Sequence, residues 1–98
     1  MKTDINKVGT VMTVSVSGRL DTTTAPELEA AIKNSLEGVT KLIFDMNGLE
    51  YISSAGLRVL LTAQKIMSRQ EGMSVKNCSA EIREIFDITG FTDILTIE

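Results

Sequence analysis

From Met12 to Ser17 apolar and polar residues alternate without a break, Met12, Val14 and Val16 against Thr13, Ser15 and Ser17. A period of two predicts a half-buried strand. Gly9-Thr10 marks a turn before it, so the opening reads as a hairpin whose first strand, around Thr3 to Asn6, is short and polar like an edge strand. Beyond Gly18-Arg19-Leu20-Asp21 the period lengthens. Leu28, Ala31, Ile32 and Leu36 recur at helical spacing and predict a helix to about Glu37, with Pro26 in its first turn and Gly38 as its stop. Thr24 and Glu27 have the spacing of a capping box. Lys41 to Met46 is a short continuous apolar run, expected as a strand covered on both faces. Asn47-Gly48 breaks it, and Leu49 to Ile52 reads as a short connection whose apolar residues tuck beneath the Ser53-Ser54 turn.

The longest helical pattern begins after Ser54 and is expected to reach Arg69 or Gln70. Leu57, Leu60, Leu61, Ala63, Gln64 and Met67 form its inner side, while Arg58, Thr62, Lys65 and Arg69 fall on another face. Met73 to Cys78 alternates again as a strand. Ser79 caps a third helix to about Ile88, with Ile82, Ile85 and Phe86 on one face and Gly90 as a left-handed stop. Ile94 to Ile97 closes the chain as an edge strand. Two strand–helix–strand units in succession predict parallel pairing with right-handed crossovers.

Composition narrows the choice of function. With 98 residues and 43% apolar content, residues 1–98 are expected to form one domain with a core that needs neither disulfide nor metal. A net charge of −3 argues against non-specific binding to nucleic acid or anionic lipid, and the absence of Trp removes the usual stacking platform for single strands. No His is present and Cys78 is the sole cysteine, which excludes a Cys/His metal site and a Ser/His triad. Cys78 itself reads as a small buried hydrophobe. No long apolar run and no leader-like start occur, so a cytoplasmic protein that does not span a membrane is expected.

The candidate chemistry lies in Tyr51-Ile52-Ser53-Ser54-Ala55-Gly56-Leu57. A serine at the start of a helix sits among unpaired backbone N–H groups, a place suited to gaining negative charge. Neither serine has a base, and no glycine-flanked nucleophile elbow surrounds Ser54. Asp21 and Asp45, at or near strand C-termini, are the one carboxylate pair near this turn, and too few other ligands accompany them for a metal or an active site. On residue type alone one of the two serines is simply the N-cap of the helix.

The wider pattern resembles the STAS family, in particular its small bacterial anti-sigma factor antagonists. Four segments carry the likeness, in order, across nearly the whole chain: Gly18-Arg19-Leu20-Asp21 with Thr24, Leu42 to Asp45, Tyr51 to Leu57, and Phe86-Asp87-Ile88-Thr89-Gly90-Phe91. The resemblance implies an α/β STAS-like fold, a mixed sheet of about four to five strands with three to four helices mainly on one face. It implies no catalysis and no cofactor. It places the family's phosphorylated serine on Ser54, with Ser53 next in line. Asp21, Thr24, Ser53, Ser54, Ala55, Gly56, Arg58 and Lys65 become the partner-binding surface. Ser53 stands where the family commonly has an acid, and Arg58 where a small residue is common. The implied partner is an anti-sigma factor that is also an ATP-dependent serine kinase, with a phosphatase that resets the switch; ATP and its metal belong to that partner. The chain itself is expected as a monomer or weak dimer. The rival expectation is a STAS scaffold or ligand-sensing module that is never phosphorylated.

Overall fold

The computed structural model describes all residues from Met1 to Glu98. The chain runs β1 (Lys2–Val8), β2 (Val11–Leu20), α1 (Ala25–Lys33), β3 (Lys41–Asp45), β4 (Leu49–Ile52), α2 (Ser54–Met67), β5 (Gly72–Lys76), α3 (Ala80–Thr89), a 3-10 turn at Phe91–Asp93, and β6 (Thr96–Ile97). The strands form one mixed sheet in the order β1-β2-β3-β5-β6, with β4 beside β2. Only β1–β2 is antiparallel.

The alternation along β2 decides which face is covered. Register aligns Met12 with Leu42 and Met73, and Val14 with Phe44 and Val75. All six side chains are buried, and they form the floor on which the helices lie. The neighbouring rows, Thr13 with Ile43 and Ser15 with Asp45, point to the other face and keep partial solvent contact. Against the floor α1 buries Ala25, Leu28 and Ile32, α2 buries Leu57, Val59, Leu60, Ala63 and Met67, and α3 buries Ile82 and Phe86. All of these belong to one contiguous core. Fully burying a Leu, Val or Phe stabilises a fold by roughly 1.5–3 kcal/mol each, so this single core accounts for the domain's existence.

β2 has ten residues and serves two neighbours in turn. Its first half pairs with β3 and its last residues, Gly18 to Leu20, pair with β4. Asn47-Gly48 makes the step between them: Gly48 has φ +94° and its carbonyl accepts the Gly18 N–H at 3.0 Å. A Cβ there would also meet Ser17 Cβ at 3.2 Å, so the position favours glycine twice over.

Several expectations are corrected. Leu49 to Ile52 is a strand, which brings the sheet to six strands, one more than expected. β3 is covered on one face rather than two, with Lys41, Ile43 and Asp45 only half-buried. β1 spans seven residues, a longer edge than Thr3 to Asn6. α1 ends at Lys33, because the chain turns at Asn34 and Ser35 to bring Val39 into the core, with the Val39 N–H on Leu36 C=O at 3.0 Å. The capping box does not form. Thr24 gives no side-chain cap; its hydroxyl accepts the Asp21 N–H at 2.9 Å instead. α3 has the ends expected of it: Ser79 Oγ accepts the Ile82 N–H at 3.2 Å, and Gly90 stops the helix at φ +81°. Cys78 is half-buried against the core, and burial pushes its thiol up, away from the reactive thiolate.

Candidate functional site

β2 and β4 run side by side into the start of α2. Arg19 pairs with Tyr51 and Leu20 with Ile52, and the Ser53 N–H then donates to Leu20 C=O at 2.9 Å. This last bond fixes where the strand ends and α2 begins. Ser53 is the N-cap, in extended backbone conformation, but its hydroxyl caps nothing; Oγ is sealed from solvent and has no hydrogen-bond partner. Ser54 is the first residue of the helix and is exposed. The first helical N–H to be taken up is that of Leu57, by Ser53 C=O at 2.9 Å. The N–H groups of Ser54, Ala55 and Gly56 therefore lack intrahelical acceptors, as at any helix start, and here no side chain supplies one. α1 and α3 carry Glu27 and Glu81 in their first turns, whereas α2 carries no acid there. The positive end of its dipole is uncompensated.

Beside this turn, Asp21 to Thr24 forms a closed polar loop. Asp21 Oδ1 accepts the N–H of Thr23 at 3.0 Å and of Thr24 at 3.1 Å, and the Thr24 hydroxyl donates to Arg19 C=O at 2.9 Å. The Thr24 N–H is the largest influence holding the Asp21 carboxyl below its ordinary value, aided by Thr23, the Thr24 hydroxyl and the Arg19 guanidinium against a smaller opposing effect of burial. A carboxyl whose folded value is depressed stabilises the fold above the unfolded value, near 3.8, and ceases to do so as pH falls through the folded value. The melting difference between wild type and Asp21→Asn should therefore narrow as pH is lowered from about 5 to about 2; a difference that stays constant across that range contradicts the assignment.

Arg19 also stacks on Tyr51, its guanidinium carbon 4.3 Å from the ring centroid, while its Nε lies 3.8 Å from Asp21 Oδ2. This surface Arg–Tyr–Asp cluster adjoins Ser54 through the β4 strand. The contact between Arg19 and Tyr51 is not legible in the sequence, because it depends on β2–β4 pairing and β4 reads there as a connection.

On the other side of the turn lies an open groove of about 250 Å³ between α1 and α2, lined by Thr22, Pro26, Glu29, Ala55, Arg58 and Thr62 among others. Ala55 and Arg58 border this groove, and Arg58 is exposed. Lys65 is exposed too, but lies eleven residues beyond Ser54, about 16 Å along the helix axis. Gly56, expected on the partner surface, is instead buried: a Cβ there would stand 2.7 Å from Leu20 Cγ and 2.8 Å from Ile52 Cγ1. Its role is to let α2 approach the ends of β2 and β4. Asp45 is held in a different local network, accepting from Asn77 Nδ2 and the Asn47 N–H at 3.0 Å each, and Asn77's amide is the chief reason its carboxyl lies below the usual range. No group of three acidic, Cys or His side chains has the arrangement of a metal site. No helix is long and apolar enough to cross a membrane.

Residues 2–98 match the model of the STAS domain. The chain is 31% identical over 99 residues to a protein of Bordetella bronchiseptica provisionally named anti-sigma factor antagonist BtrV, covering 99% of this chain and 85% of that one. Its fold superposes on the crystal structure of an anti-sigma factor antagonist from Mycobacterium paratuberculosis with TM-score 0.88 and 28% identity, over 98% of this chain and 83% of that chain. The Bacillus cell-fate determinant SpoIIAA shares the fold at 18% identity, its phosphorylated form giving TM-score 0.77 over 99% of this chain and 91% of that chain. By these matches the chain belongs to the STAS domain family, among the anti-sigma factor antagonists, which are regulatory rather than catalytic proteins.

Proposed function

We propose that this protein binds an anti-sigma factor that is also a serine kinase, so that the sigma factor is released, and that phosphorylation of Ser54 ends the binding. The observation that carries this reading is the contrast between the two serines: Ser54 is exposed at the first position of α2, while Ser53 Oγ is enclosed. A kinase active site can reach only a hydroxyl that projects from the surface. In the transfer, a bond forms between Ser54 Oγ and the γ-phosphorus of ATP held by the partner. The bond to the bridging oxygen breaks, ADP leaves, and the hydroxyl proton is released. The relatives support the reading by their names, and SpoIIAA has been solved in both phosphorylated and unphosphorylated forms.

The chain tolerates the product for a physical reason. Phosphoserine adds about −1.5 to −2 charges and three acceptor oxygens, and free N–H groups with an uncompensated dipole stand at the same helix end. The competing reading is a STAS module that is never phosphorylated, favoured by Ser53 standing where the family commonly has an acid. Incubation with the kinase-type partner and ATP separates the two. Ser54→Ala should abolish incorporation of phosphate while wild type is labelled to near one equivalent. No labelling of wild type by a partner that binds it would leave the module reading.

A further inference from the structure

We propose that Arg58 is a built-in counter-ion for phosphoserine 54. This rests on the reading of Ser54 as the modified residue. Ser54 and Arg58 are one helical turn apart, about 6 Å along the axis, and both are exposed. The chain's ion pairs are Arg19 with Asp21 at 3.8 Å and Lys33 with Glu29 at 3.2 Å. Arg58 is in neither. Glu29, the carboxylate that shares the groove with it, is the one committed to Lys33. Arg58 is thus an uncommitted cation beside an exposed hydroxyl, at a helix start with no acid in its first turn.

Attaching a phosphate supplies what this arrangement lacks. The guanidinium fork matches phosphate oxygens and reaches them without distorting the helix. The neighbouring charged groups do not take over the role. On β2 Arg19 is held between Tyr51 and Asp21; on the β2–α1 turn Asp21 repels an anion; on α1 Glu29 does the same; on β4 Glu50 is a further acid. Phosphorylation therefore acts twice at the surface. It adds an anion, and it draws in a cation that the unmodified protein leaves free on the groove between α1 and α2.

The test uses phosphoserine encoded directly at position 54, so no kinase takes part, in wild type, Arg58→Gln and Arg58→Lys. The phosphorus resonance is followed against pH. The second ionisation should lie about half a pH unit lower in wild type than in Arg58→Gln, roughly a threefold change in proton affinity, with Arg58→Lys restoring part of the shift and about 1 M salt reducing it. Helix dipole, Asp21 and Glu29 are common to all three proteins and cancel in the comparison. Equal midpoints overturn the proposal, and so does a shift lost in Arg58→Gln that Arg58→Lys fails to restore, which would assign the effect to packing. Failure of the kinase to label Ser54 would remove the proposed function yet leave this titration readable, so the two outcomes stay separate.

Discussion

Gly56→Ala is expected to destabilise the domain by about 2 kcal/mol, lowering its melting temperature by roughly 10 °C. Two effects oppose each other at this position. Alanine is the better helix former by about 1 kcal/mol, which would raise stability at an open site. Here the added methyl would sit 2.7 Å from Leu20 Cγ and 2.8 Å from Ile52 Cγ1. Both are atoms near the root of fully or almost fully buried side chains, not flexible tips, and each belongs to a strand already tied into the sheet. Neither can move without disturbing β2–β4 pairing, so the steric effect wins. The helix must rise off the strand ends, and with it the exposed serine. Thermal unfolding of Gly56→Ala beside a control such as Ala30→Gly, on the exposed side of α1, checks this. A melting temperature equal to or above that of wild type would show that propensity outweighs packing.

The same glycine illustrates what could be read from the chain and what could not. The hairpin was legible because Met12 to Ser17 alternates strictly, and α3 because Ser79 and Gly90 each act within a few residues of themselves. Local chemistry also fixed the start of α2 to within one residue. What escaped depended on contacts across the fold. Leu49 to Ile52 buries its first and last residues and exposes the two between, so it shows no period of two; only pairing with the far end of β2 makes it a strand. Val59 is absent from the inner side read along the sequence, yet it is buried in the core, where it also lines the groove that α2 makes with α1. Thr24 has the spacing of a capping box, yet Asp21 offers its hydroxyl and N–H a nearer set of partners. At the candidate site, Ser54 and Arg58 lie exposed on the first turns of α2, Asp21 and Thr24 lie on the β2–α1 loop, Gly56 has a packing role, and the contact of Arg19 with Tyr51 is added by the sheet.

Phosphorylation of Ser54 should weaken binding to the anti-sigma factor by more than a hundredfold while leaving the domain as stable as before, or slightly more so. The asymmetry arises from where the charge sits in each state. In the free protein the phosphate is exposed, close to three unpaired N–H groups and to Arg58, so adding it costs the fold little. In a complex that covers Ser54 the same dianion must lose its water, and any acid opposite it adds repulsion. A difference of about 3 kcal/mol, modest for a desolvated charge, already exceeds the factor of one hundred. Alanine at position 54 should bind as serine does, since it removes only a hydroxyl. The decisive measurement is calorimetric titration of the cognate anti-sigma factor with the protein carrying serine or encoded phosphoserine at position 54, each checked by its melting temperature. A dissociation constant raised more than a hundredfold, with melting unchanged or raised, is the predicted result; equal affinities in two equally folded proteins would contradict the account.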